Sequence, residues 1–158
     1  MTPKSIYLAG PITGLNHAGS VNWRKKFTDL MSGTGVECFS PMRGKDYLAR
    51  EAVIEGSYPG SILSCQRAIM TRDRFDCTRC LLIVMNLLRD VAAAGQRPSL
   101  GTVMELAWAD LSRIPVIAII EKDVTASPYN HPMILEALGF QVETIEQAVN
   151  TAKIILFP

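Results

Sequence analysis

Apolar residues along this chain follow two alternating spacings. Short apolar runs of strand length occur at 6–9, 36–39, 81–85 and 116–120, with a less apolar run at 141–145. Between them, apolar positions recur three and four residues apart, the spacing of amphipathic helices. Trp23, Phe27, Leu30 and Met31 share one face of a helix that Ser20 is placed to cap and that Gly33 and Gly35 end. Residues 61–78, 102–112 and 132–138 read as further helices, the last closed by Gly139, and 146–155 as a final one. Strands each followed by a helix predict an α/β fold: a doubly wound, flavodoxin- or Rossmann-like five-stranded parallel sheet with helices on both faces. Residues 41–60 fit neither spacing and are rich in Gly, Pro and charge. They are expected to hold an irregular helix around 47–54 or to form a lid over a cleft.

Sheets of this kind bind ligands beyond the carboxyl ends of their strands, near the point where strand order reverses. Three loops lie at that edge: 10–19, 86–101 and 121–131. The second leads into Thr102-Val-Met-Glu-Leu-Ala-Trp108, an apolar helical segment whose single charge is Glu105. Such a helix is normally buried, and a buried carboxylate needs a partner or a task. Two readings fit. Thr102 and Glu105 have the spacing of a capping box, in which Glu105 reaches back to the Thr102 backbone amide. Alternatively, Glu105 stands over a cleft as a nucleophile or base.

Composition narrows the possibilities. The length of 158 residues suits one domain spanning 1–158, with 48% hydrophobic and 20% charged residues. A net charge of +1 gives no electrostatic footprint for nucleic acid or an anionic membrane. No apolar run is long enough to span a bilayer, and the amino terminus has no cleavage-site pattern, so a cytoplasmic protein is expected. Cys77 and Cys80 form the only close cysteine pair, but they precede a strand, whereas a redox pair sits where a strand turns into a helix. With Cys38, Cys65, His17 and His131 scattered, no metal site is expected and the thiols read as reduced and structural.

Several short segments could carry chemistry. Gly10-Pro11-Ile12-Thr13-Gly14 leaves the first strand and would let backbone approach a ligand closely, or simply make a tight turn. It lacks the spacing of a dinucleotide fingerprint or a P-loop. Asp73 and Asp76, flanked by Arg72, Arg74 and Arg79, read by themselves as a solvated, salt-bridged helix face. Ser99, Gly101 and Thr102 offer hydroxyls and free amides at a helix start, suited to an anion or to plain capping.

Taken together, Tyr7-Leu-Ala-Gly-Pro11, Arg72-Asp73 and Ser99-Leu-Gly-Thr-Val-Met-Glu105 resemble the nucleoside 2-deoxyribosyltransferase family, from the first strand to about Met133. That family includes transferases that exchange nucleobases and hydrolases that cut nucleoside 5′-monophosphates. The resemblance implies that Glu105 attacks the anomeric carbon and forms a covalent glycosyl-enzyme. It implies that Tyr7 orients Glu105, and that Asp73 contacts the sugar and helps protonate the leaving base. Gly10, Pro11, Ile12 and Gly14 would line the nucleotide pocket, with Ile12 against the base. Asn130-His-Pro-Met133 is similar to a segment that a neighbouring subunit contributes, with one residue more between Asn130 and Met133. The implied protein is a homo-oligomer with shared active sites, acting on nucleosides, nucleotides and nucleobases without a cofactor.

Base-exchanging members carry an aspartate six residues before the nucleophile, where this chain has Ser99. A serine with helix-start amides accepts a 5′-phosphate that an aspartate would repel. A strict 5′-monophosphate N-glycosidase with Ser99 and Gly101 at the phosphate is therefore one alternative. Basic residues in 89–98 and 42–50 would add phosphate contacts or be solvated surface. The other alternative is a catalytically silent nucleotide-binding protein in which Glu105 only caps its helix.

Overall fold

Runs of four or five aliphatic residues are too short to make a stable helix, and between turn-forming loops they pair as buried strands. The computed structural model describes residues 3–88 and 97–157 of the chain. Among these, β1 (Ser5–Ala9), β2 (Glu37–Phe39), β3 (Leu82–Asn86), β4 (Val116–Ile119) and β5 (Phe140–Val142) form one parallel sheet in the order β2-β1-β3-β4-β5. The order reverses between β1 and β3, so a crevice is expected at the carboxyl ends of those two strands. β1, β3 and β4 are buried along their whole length, while β2 and β5 form the partly exposed edges.

Alternation along each strand sends side chains to two separate cores. Ile6 and Leu8 pack with Leu82 and Val84 against α1 (His17–Leu30) and α5 (Ile145–Leu156). Tyr7, Ala9, Ile83 and Met85 face the layer of α2 (Gln66–Arg79), α3 (Leu100–Leu111) and α4 (Pro132–Ala137). The doubly wound arrangement expected from the sequence is the one observed. No helix among the described residues is long and apolar enough to cross a membrane.

The helix starts depart from expectation. α1 begins at His17, four residues early, because the Asn16 side chain accepts from the Gly19 amide at 2.8 Å. Ser20 instead lies inside the helix, where its hydroxyl donates to the His17 carbonyl. α2 begins only at Gln66, since residues 61–65 form a turn in which the hydroxyls of Ser61 and Ser64 bond Tyr47. Residues 41–60 hold a short 3-10 helix (Asp46–Arg50) rather than an irregular helix over 47–54. Met42, Leu48 and Ile54 from this segment make a third, small core with Ile12, Val21 and Tyr58.

Asp76 is not on a solvated face. It is fully buried, paired with Arg43 at 2.6 Å and with Arg79 at 2.8 Å, and it ties the 41–60 segment to α2. Both guanidinium groups also lie over the Phe39 ring. Asp76→Ala strands two half-exposed cations, and is expected to reduce stability by roughly 2–3 kcal/mol, read as a lower urea midpoint at unchanged slope.

Candidate functional site

The turn after β1 sets the geometry of the crevice. Gly10 has φ +152°, and a Cβ there would lie 3.1 Å from the Asn86 carbonyl oxygen and 3.3 Å from the Trp23 ring. Only glycine fits between the ends of β1 and β3. Arg24 of α1, fully buried, fastens this turn from below. Its guanidinium donates to the Leu8 carbonyl at 3.0 Å, to the Gly10 carbonyl at 2.9 Å and to the Ser20 carbonyl.

α3 begins at Leu100, with Ser99 as its cap. The Ser99 hydroxyl accepts from the Thr102 amide, and the Ser99 amide donates to the buried Tyr129 hydroxyl at 3.2 Å. Thr102 is therefore inside the helix and is not its cap, which excludes the capping box with Glu105. Glu105 instead lies in the second turn, facing the sheet, and its Oε1 accepts the Tyr7 hydroxyl proton at 2.6 Å.

These elements enclose a cavity of about 240 Å³. Glu105, Asp73 and Lys45 contribute charge to its wall, and Ser99, Gly101 and Thr102 contribute the start of α3. Gly10, Ile12, Met42, Leu48, Ile54 and Tyr58 supply a largely apolar surface. The volume suits one small ligand and is at the low end for binding pockets, roughly 300–1,000 Å³ in general.

Of the three carboxyl groups on this wall, Glu105 is buried, Asp73 partly buried and Glu55 exposed. Burial raises the pKa of Glu105 to about 8, and the negative charge of Asp73 adds to the shift. The Tyr7 hydrogen bond and the charges of Arg24 and Lys45 oppose it without cancelling it. Burial likewise raises Asp73 to about 6, against the pull of Lys45 and Arg72, and its Oδ1 is buried without a hydrogen-bond partner. Tyr7 is pushed well above its ordinary range by burial and by Glu105, so its hydroxyl stays a donor. Burial lowers Arg24 to about 10, which leaves it charged at neutral pH. No Lys or Arg among the described residues is within ion-pair distance of Glu105.

The structure brings together Tyr7, Gly10, Ile12, Asp73, Ser99, Gly101 and Glu105. Pro11 is buried beside this group and Gly14 is exposed, its amide bonded to the Ile54 carbonyl; neither reaches the cavity wall. Asn130 and Met133 are also outside it, exposed around the start of α4. Of the loop expected to add phosphate contacts, residues 89–96 lie outside the described residues. The four cysteines carry free thiols, and burial raises Cys80 to about 11, far from reactive thiolate. No group of three or more His, Cys, Asp or Glu among the described residues could hold a metal ion.

Comparison with known proteins gives the same architecture. No family model matches the chain, and no curated protein matches its sequence. Solved structures do match its fold. A 2-deoxyribosyltransferase from Leishmania mexicana superposes with a TM-score of 0.66 at 17% identity, over 99% of this chain and 100% of that one. The CMP N-glycosidase BcmB of Clostridium botulinum gives 0.56 at 13% identity, over 96% and 99%. The chain therefore shares the doubly wound α/β fold of these proteins. That fold is shared by a molybdenum cofactor binding protein from the phototrophic bacterium Rippkaea orientalis, with a TM-score of 0.61 at 16% identity over 99% of both chains.

Within this fold, sequence reasoning missed Arg24 and Tyr129, and reached Lys45 only as one of the basic residues of 42–50. Arg24 had a signal, because Ser20, Arg24 and Phe27 recur at helical spacing and all three are buried. Lys45 lies in the one segment without periodicity, and nothing in the sequence singles it out.

Proposed function

We propose that this protein cleaves the N-glycosidic bond of a nucleoside or nucleoside 5′-monophosphate, with Glu105 attacking the anomeric carbon. The observation that carries this reading is a fully buried carboxyl on a cavity wall, held by Tyr7 at 2.6 Å and neutralised by no adjacent cation among the described residues. Structural carboxylates are normally solvated or paired; one kept dry beside a second carboxyl is suited to reaction. Tyr7 holds one oxygen of Glu105 and leaves the other for carbon. As the bond to the base breaks, the sugar gains oxocarbenium character, which the carboxylate stabilises and then traps as a glycosyl ester. Water, or a second nucleobase, displaces Glu105 and returns the enzyme. Asp73 shares the cavity, orients the sugar and sets the charge state of Glu105.

The start of α3 supports a 5′-phosphate subsite. The Leu100 and Gly101 amides of its first turn have no partner within the helix, and Ser99 and Gly101 are on the cavity wall. Ser99→Asp places a negative charge there and is expected to reduce kcat/KM for 5′-monophosphates by about 100-fold relative to nucleosides. An unchanged ratio of the two substrates removes the subsite. Asn130 and Met133, exposed and away from the cavity, are proposed to serve the site of a neighbouring subunit.

The Rippkaea orientalis neighbour favours a second reading, a binding protein without turnover. That reading gives no reason to bury two coupled carboxyl groups at the ligand. The deciding experiment offers purified protein each nucleoside and 5′-monophosphate, with and without a free base, and follows base release by chromatography. Release from monophosphates whatever the acceptor marks a hydrolase. A new nucleoside formed only with added base marks a transferase. Binding without release marks a carrier.

A further inference from the structure

Resting on the Glu105 reading above, we propose that Lys45 is the acid of the reaction. Its ammonium hands a proton to the departing base and, as an amine, later takes one from the water that frees the sugar.

Lys45 is 5% exposed and contributes to the cavity wall. Buried lysines are almost always paired, yet among the described residues nothing accepts a hydrogen bond from this ammonium or lies within ion-pair distance of it. Its charge meets the field of Asp73 across the cavity, and the like charges of Arg72 and Arg24 at longer range. An ammonium is a donor of three hydrogens and accepts none, so the group that completes it is an acceptor brought by the ligand. A ring nitrogen or carbonyl oxygen of a nucleobase is such an acceptor, and it becomes a stronger one as the glycosidic electron pair moves onto the base.

Lys45 shares the cavity wall with both carboxyls. Its charge is the leading one acting on Asp73 and among the weaker ones acting on Glu105, so it couples to the second carboxyl more than to the attacking one. Burial lowers the Lys45 pKa and makes its proton easier to give.

The step balances. The C1′–N bond breaks and its electron pair passes to the base, Glu105 oxygen bonds C1′, and a Lys45 proton moves to the base nitrogen. Water then attacks C1′, the Glu105 ester bond breaks, and the water's proton returns to Lys45. One molecule of water is consumed, and free base and sugar are released.

Lys45→Met tests this by its dependence on the leaving group. Each variant is offered its best substrate and an analogue whose base departs with little need of a proton, N7-methylated for a purine or 5-fluorinated for a pyrimidine. The expected result is a loss of about 100-fold in kcat on the parent substrate and less than about 3-fold on the activated one. Lys45→Arg keeps the charge but not an available proton, and is expected to lose about 10-fold on the parent base alone. It also serves if the methionine variant does not fold. Equal losses on both substrates, or no loss on the parent, overturn the role of Lys45 while leaving Glu105 in place. Absence of base release by the unsubstituted protein overturns the N-glycosidase reading, and this role with it.

Discussion

Glu105→Gln is expected to abolish base release, by about 10⁴-fold or more, while making the protein more stable. The two effects have one origin. In the folded protein, burial raises the Glu105 carboxyl from 4.5 to about 8. The folded state then binds this proton more tightly than the unfolded chain, so the carboxyl's contribution is full below about pH 4.5, declines as pH rises and is lost above about 8. Glutamine is neutral throughout, keeps the shape, and its carbonyl still accepts the Tyr7 hydrogen bond. The gain should therefore be small at pH 5 and reach roughly 4–8 °C in Tm at pH 8.5. A residue that merely capped its helix would show neither the loss of turnover nor a pH-dependent gain in stability. Base release within tenfold of the unsubstituted protein would sink the nucleophile assignment.

That Glu105 mattered was legible in the sequence, because a lone charge in an apolar helix is unusual wherever it occurs. What it does there was not legible locally. Ser99 and Thr102 are both good caps, three residues apart, and either choice satisfies the helix-start rules. The choice was made by tertiary structure: Tyr129 takes the Ser99 amide, which places Glu105 one turn deeper and under Tyr7. The same ambiguity displaced the start of α1 from Ser20 to Asn16. Strand positions survived because Ile, Val and Leu runs have one good solution between two layers of helices, whatever their ends do. That residues 41–60 cover the cleft was one of the two readings of the sequence, but which of them line it, Lys45 included, was not legible, for the opposite reason. Met42, Leu48 and Ile54 form their small core without a repeating spacing, so only the closed chain shows that they share a surface.

Arg24 shows how this arrangement holds together. Two backbone carbonyls at the end of β1 and one in α1 absorb its donors, so its charge is not consumed by an ion pair and acts through space on Tyr7, Glu105 and Asp73. One fixed cation behind two carboxyls and an unpaired lysine in front of them leave the cavity short of compensating contacts from the protein itself. On the proposed reading a nucleoside supplies what is missing: sugar hydroxyls for Asp73, a base acceptor for Lys45, an electrophilic carbon for Glu105. Stability given up at these groups would then be recovered as differential binding when charge moves during reaction.

The pH dependence of kcat/KM should expose this balance. With Glu105 required as the carboxylate and its pKa near 8, the rate is expected to climb about tenfold per pH unit from 6 toward 8, and the need for a protonated Lys45 turns it down again at higher pH. Neighbouring substitutions should move that limb in opposite directions. Asp73→Asn removes the negative charge that helps raise Glu105, so the limb shifts to lower pH. Tyr7→Phe removes the hydrogen bond that favours the ionised carboxyl, so the limb shifts to higher pH. Because the two carboxyls titrate as a coupled pair, the midpoint belongs to the pair, but the sign of each shift does not depend on how the proton is divided between them. A limb that stays in place in both variants would mean that a group other than Glu105 controls the rate. Shifts of the expected signs would tie catalysis to the carboxyl under Tyr7, since a helix cap or surface ion pair has no means of responding to both changes in opposite ways.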